Sequence, residues 1–113
     1  MDQSSCAEYR ETRVIVNPGV CGFSCTIHAG KIGKGRVAVS ILDSCCEQVQ
    51  KMSQLLEEIS LEDLFKPLSR NPVLLWAKQA RCHTTCIVPL AVLKAVEVEM
   101  GMAVPRDAGI KFK

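Results

Sequence analysis

A chain of 113 residues is long enough for one domain that buries roughly 60–70% of its unfolded surface without disulfide staples. With 48% hydrophobic and 23% charged residues it matches an ordinary globular domain, which excludes disorder, and it has no apolar run of ~20 residues to place in a membrane. Fourteen Lys and Arg against twelve Asp and Glu leave a formal charge of +2, far from the concentrated basic face that nucleic-acid binding uses, so nucleic acid is excluded as the main partner.

Residues 1–11 are polar and without periodicity and read as a flexible tail, with Cys6 a bystander in it. Residues 12–113 then read as a single α+β domain. Arg13-Val14-Ile15-Val16 is a β-branched run stopped by the turn chemistry of Asn17-Pro18-Gly19. Val20 to Ala29 alternates, with Cys21, Phe23, Cys25 and Ile27 on one face and His28 on the solvent side, the pattern of a half-buried strand. If residues 21–25 were fully extended, the thiols of Cys21 and Cys25 would lie ~13 Å apart, too far to share one ion. A loop around Gly22 would instead swing Cys21 toward the helix starts and leave Cys25 in the core. Gly30 to Gly35 reads as a surface turn, and Arg36 to Leu42 as a third strand with Val37, Val39 and Ile41 inward.

Ser44-x-x-Glu47 is a capping box, which predicts Ser44 as N-cap and Cys45 and Cys46 as the first helical residues. Apolar Cys45, Val49, Met52, Leu56 and Ile59 would form the buried side of about four turns. Cys45 then faces inward and Cys46 sits about 100° round the axis. Ser60-x-x-Asp63 and Pro67 bound a short helix over Leu61 to Lys66, and Asn71-Pro72 opens another that carries Leu74, Leu75 and Trp76 to about Ala80. Pro89 to Met100 is apolar on most sides and predicts a central buried helix capped by Gly101. A short last strand is expected over Gly109 to Phe112, with Ile110 and Phe112 on one face. The predicted architecture is an antiparallel sheet of three or four strands with helices packed on one face.

Seven cysteines in this length is several times ordinary usage. The N-terminal residues have neither a basic n-region nor an apolar h-region, so a cytoplasmic setting is expected, where thiols stay reduced and a cluster of them points to metal or catalysis. They fall as Cys21-x3-Cys25, Cys45-Cys46 and Cys82-x3-Cys86, the last within the inter-helix turn Arg81 to Pro89. Cys45, Cys46 and Cys86 lie at predicted helix N-termini, where unpaired N–H groups favour a thiolate. The first reading is therefore a metal site drawn from Cys21, Cys45, Cys46, Cys82 and Cys86, with His83 as a further ligand, holding zinc or an iron–sulfur cluster. A second is sulfur transfer or thiol redox chemistry at Cys86 or Cys45, with a small sulfur species as partner. A third is an interaction domain whose cysteines are small buried hydrophobes and whose partner is another protein or a second copy. Gly30-x-x-Gly33-x-Gly35 lies between strands and not at a helix start, so it does not predict a nucleotide site.

Two stretches, Asn17-Pro18-Gly19-Val20-Cys21-Gly22-Phe23 and Pro89-Leu90-Ala91-Val92-Leu93-Lys94-Ala95-Val96-Glu97-Val98-Glu99, resemble a small uncharacterised cysteine-containing family of short proteins from anaerobic bacteria and archaea. The likeness spans most of residues 13–112. It implies a cytoplasmic, oxygen-sensitive setting and carries over no functional residue. Cys86-Ile87-Val88-Pro89 resembles the Cys-Pro-x-Pro helix start of small sulfur-carrier proteins, which implies persulfide relay at Cys86. Ile87 replaces the first proline of that pattern, and a helix and a turn lead into it where the pattern has a strand.

Overall fold

A computed structural model describes residues 11–113; the expected tail, apart from Glu11, and the reading of Cys6 as a bystander lie outside them. Strand β1 is Thr12–Val16, β2 is Cys25–Gly33 and β3 is Arg36–Leu42. Helix α1 is Glu47–Leu55, β4 is Ile59–Ser60, α2 is Pro72–Gln79 and α3 is Val88–Glu99. The strands form one antiparallel sheet in the order β1-β2-β3-β4. This is the expected α+β architecture. No helix among the described residues is long and apolar enough to cross a membrane.

The alternation along the strands sets the two faces. Val16, Cys25, Ile27, Ala29, Val37 and Ile41 are buried on the side that α3 and α1 cover. Ile15, Ile32 and Leu42 stand on the open side. Helix α3 contributes Val88, Val92, Ala95 and Val96 to the core, the i, i+3, i+4 spacing of a helix that buries one broad stripe. Its far end is tied to the sheet by Glu99, whose carboxylate accepts the Thr12 backbone N–H at 3.0 Å, the Thr12 hydroxyl at 2.7 Å and the Lys31 N–H at 3.0 Å. Gly101, with φ 78°, then closes the helix: its N–H donates to the Val98 carbonyl and that of Met102 to the Glu97 carbonyl.

Several boundaries differ from the sequence expectation, each for a local reason. The strand expected from Val20 begins at Cys25, because Gly19 (φ 95°) and Gly22 (φ 72°) build a turn in which the Gly22 N–H donates to the Gly19 carbonyl at 2.9 Å. The same strand runs through the glycines expected to turn, as far as Gly33, and only Lys34 and Gly35 lie between it and β3. Helix α1 starts at Glu47: Asp43 takes a left-handed φ of 63°, and the Ser44 hydroxyl accepts the Cys46 N–H at 3.2 Å where a capping box would engage that of Glu47. It stops at Leu55, and Ile59 is buried from the two-residue strand β4 beside Val37. The helix expected over Leu61 to Lys66 is a 3-10 turn, Glu62–Phe65, followed by a second at Leu68–Arg70. No strand forms at Gly109 to Phe112.

Candidate functional site

The end of the sheet where β1 stops and β2 begins gathers cysteines from three separate segments. Val16 pairs with Cys25, so residues 17–24 form a hairpin loop with Cys21 on its turn. Cys21 is exposed there, while Cys25, in the strand proper, is buried. Cys46 is the N-cap residue of α1, with φ −81° and ψ 122°, and packs half-buried against the core. Cys45 is exposed. This reverses the expected pair: a helix that starts two residues late turns Cys46 inward and leaves Cys45 at the surface. The Cys46 thiol donates to the Gln48 side-chain carbonyl at 3.3 Å.

Cys82 and Cys86 are placed by the ends of two helices. Helix α2 ends at Ala80, and Arg81 adopts a left-handed φ of 62° where glycine is usual. The Arg81 N–H donates to the Lys78 carbonyl and the Cys82 N–H to the Ala77 carbonyl, both at 3.0 Å. This Schellman closure folds the residue after Arg81 back onto the helix, so Cys82 packs half-buried against the core. Cys86 also packs there, two residues before α3, its N–H donating to the His83 carbonyl at 3.0 Å. His83 itself is exposed in the loop. Among the described residues the non-glycine positions with positive φ are Asp43 and Arg81, which precede the half-buried Cys46 and Cys82 by three residues and one.

These thiols are close enough to oppose one another's ionisation. Burial pushes Cys25 up to about 11, and the neighbouring Cys86 and Cys46 add to the rise. Cys82 is likewise pushed up to about 11, first by burial and then by Cys86 and Cys46. Cys86 is raised by burial, relieved in part by the Val88 backbone N–H donating to its sulfur, and raised again by Cys46 and Cys21. Cys86 is the hub, electrostatically linked to Cys21, Cys25, Cys46 and Cys82.

At neutral pH such thiols stay protonated, which makes Cys25, Cys82 and Cys86 poor free nucleophiles. Among the described residues no three His, Cys, Asp or Glu side chains stand in position to hold a metal ion as they lie, so the thiols are neighbours but not a closed ligand shell. No disulfide links the described cysteines. Two shallow clefts lie elsewhere, one beside Asp43, Ser44 and Gln50 and one around His28 on the open sheet face, and no cysteine lines either. His28 is occupied there, its Nδ1 lying 2.8 Å from the Glu11 carboxylate.

The sequence signal for this site was the number of cysteines and their place at helix boundaries. Which of Cys45 and Cys46 turns inward depended on a helix start the sequence placed wrongly, whereas Cys25 in the core below a loop around Gly22 was one of the two arrangements the sequence offered. Neither the curated proteins nor the solved structures contain a match to this chain. One family model covers residues 12–112, close to the span of the expected resemblance, and on that match the chain belongs to DUF6951, a family of unknown function.

Proposed function

We propose that this protein binds a thiolate-held metal centre, zinc or an iron–sulfur cluster, through Cys21, Cys46, Cys82 and Cys86. The observation that carries this reading is the packing of Cys46, Cys82 and Cys86, from two separate connections, against one core cluster that also holds Cys25, with Cys21 on the turn that leads into Cys25. Neighbouring thiols become compatible as thiolates once a cation stands among them, because its charge drives their protons off. An all-sulfur donor set suits zinc and iron–sulfur clusters and does not suit magnesium or calcium. Cys46, Cys82 and Cys86 are anchored by the core, whereas Cys21 rides on a glycine turn whose Gly19 and Gly22 have open space around them. Cys21 is therefore free to swing in, and since no three of these side chains stand in position as they lie, Cys46, Cys82 and Cys86 must turn toward the ion with it.

Cys25, buried at the start of β2, lies below this group, and the exposed Cys45 and His83 are left out of the ligand set. The Val88 N–H on the Cys86 sulfur and the start of α3 behind it favour negative charge at that ligand. A centre of this kind needs reduced thiols, which accords with a cytoplasmic, oxygen-poor setting.

The test is the metal and acid-labile sulfide content of protein purified without oxygen, beside Cys46→Ala/Cys86→Ala. The parent should carry about one zinc, or iron with matching sulfide, and the double variant should lose it at unchanged far-UV circular dichroism. Cys45→Ala should keep the metal. A parent free of metal, with all its thiols open to a titrating reagent, would end the proposal.

A further inference from the structure

Strand β1 is an edge strand: β2 lies on one side of it, and no strand among the described residues lies on the other. Such an edge presents unpaired backbone N–H and C=O groups and is a template for a further strand. Its open face carries Arg13 and Ile15, and Ile15, 82% exposed, continues across the register into Thr26 and then Leu42. The C-terminal end of α3 is fastened beside the start of β1 through Glu99, and Gly101 turns the chain out from there. The segment that follows, Met102–Lys113, is exposed throughout, with Ile110 at 77% and Phe112 at 95%. Yet it belongs to the family unit, which extends to residue 112.

Gly109-Ile110-Lys111-Phe112 has the two-residue alternation of a strand with one apolar face. The chain thus carries both an open edge and an unpaired strand sequence, launched from the neighbourhood of that edge. We propose that two copies of this chain exchange these segments, residues 109–112 of each adding antiparallel to β1 of the other. Ile110 would then lie beside Ile15 and Phe112 beside Arg13, covering the apolar edge with an aliphatic pair and an Arg–aromatic contact. The exchange is isologous: each copy gives one strand and receives one, and both edges are covered at once by a closed two-fold dimer. It does not rest on the metal reading, since no cysteine takes part.

The test is the mass of residues 1–113 in solution by light scattering, with a reductant present so that no disulfide can join copies. The expected mass is about twice 12.4 kDa, halved in a chain cut after Met102 and in Ile110→Asp/Phe112→Asp. Ile15→Asp, at a position where a monomer would tolerate it, should also give the monomer with unchanged circular dichroism. Amide exchange at residues 110–112 should slow only at concentrations where the dimer forms. A full chain that stays monomeric up to ~100 μM, the range in which weak specific contacts are expected to show, would overturn the proposal. So would a dimer that survives the cut, or a monomer whose 110–112 amides are already protected by its own edge.

Discussion

Asp63 and Asn71 share a small polar knot on the edge of the domain away from the thiols. The Asp63 carboxylate accepts the Ser60 N–H at 2.9 Å and lies 2.7 Å from the Lys66 ammonium, while the Ser60 hydroxyl accepts the Asp63 N–H at 3.3 Å. The Asn71 side chain, buried, accepts from the N–H groups of Val73 and Leu74 and donates to the Asp63 carbonyl. Burial alone would raise the Asp63 carboxyl, but the hydrogen bonds from Lys66 and Ser60 outweigh it and hold it below its ordinary 3.8. A carboxyl lowered by folding adds stability that is complete above its unfolded value and is lost as pH falls through the folded one. Asp63→Asn should therefore lower the stability read from urea titrations at pH 6, by about 1 kcal/mol for the loss of a charged acceptor, and the gap to the parent should close in titrations taken below pH 3.8. An equal gap at pH 6 and in strong acid would show that the carboxylate contributes nothing. Both Ser-x-x-Asp and Asn-Pro were legible in the sequence, because a cap joins residues two or three apart. Cys45 and Cys46 were not, since a two-residue shift of a helix start turns its side chains by about 200°.

Among the elements, α3 was the best expected, its apolar length and terminal glycine needing no knowledge of the rest of the chain. The sequence did not show what holds its far end. Glu99 would pass as a solvated charge on a buried helix, but its carboxylate accepts from Thr12 twice and from Lys31 once, 87 and 68 residues away. Glu99→Ala leaves two backbone N–H groups without that partner. The expected loss is about 1–3 kcal/mol, and amide exchange at Thr12 and Lys31 should quicken more than at Ile27 in the middle of β2. Glu99→Gln, which can still accept through one oxygen, should fall between the parent and Glu99→Ala. Uniform acceleration across the sheet would place the loss in global stability and remove the latch. β4 escaped the sequence reading for a related reason: two residues have no periodicity, and Ile59 is held by pairing with Val37 and not by its neighbours in sequence.

For the molecule as a whole, three connections decide where the thiols go: the β1–β2 loop, the entry to α1, and the turn from α2 to α3. Short links between antiparallel strands made the meander legible, and helices on one face followed from strands with one apolar side. The sequence already drew Cys21, Cys45 or Cys46, and Cys82 or Cys86 into one candidate site; which of Cys45 and Cys46 turns inward was not legible, because the entry to α1 is set by the left-handed residue Asp43, a conformation for which sequence preference favours glycine. A metal that joins these three connections binds the folded chain more tightly than the unfolded one, whose loose thiols hold it less well, so loading must raise stability. With free metal at 100 times its dissociation constant the gain is about 2.7 kcal/mol, which for a domain of this size raises Tm by roughly 10–20 °C. Thermal melts of the parent should show that rise with metal and lose it with a chelator. Cys46→Ala/Cys86→Ala should melt at one temperature in both, near the metal-free parent. Cys21→Ala, whose thiol lies on the exposed turn, should leave the metal-free melt unchanged and keep only part of the rise. A metal-dependent rise of equal size in all three proteins would place the metal at some other site.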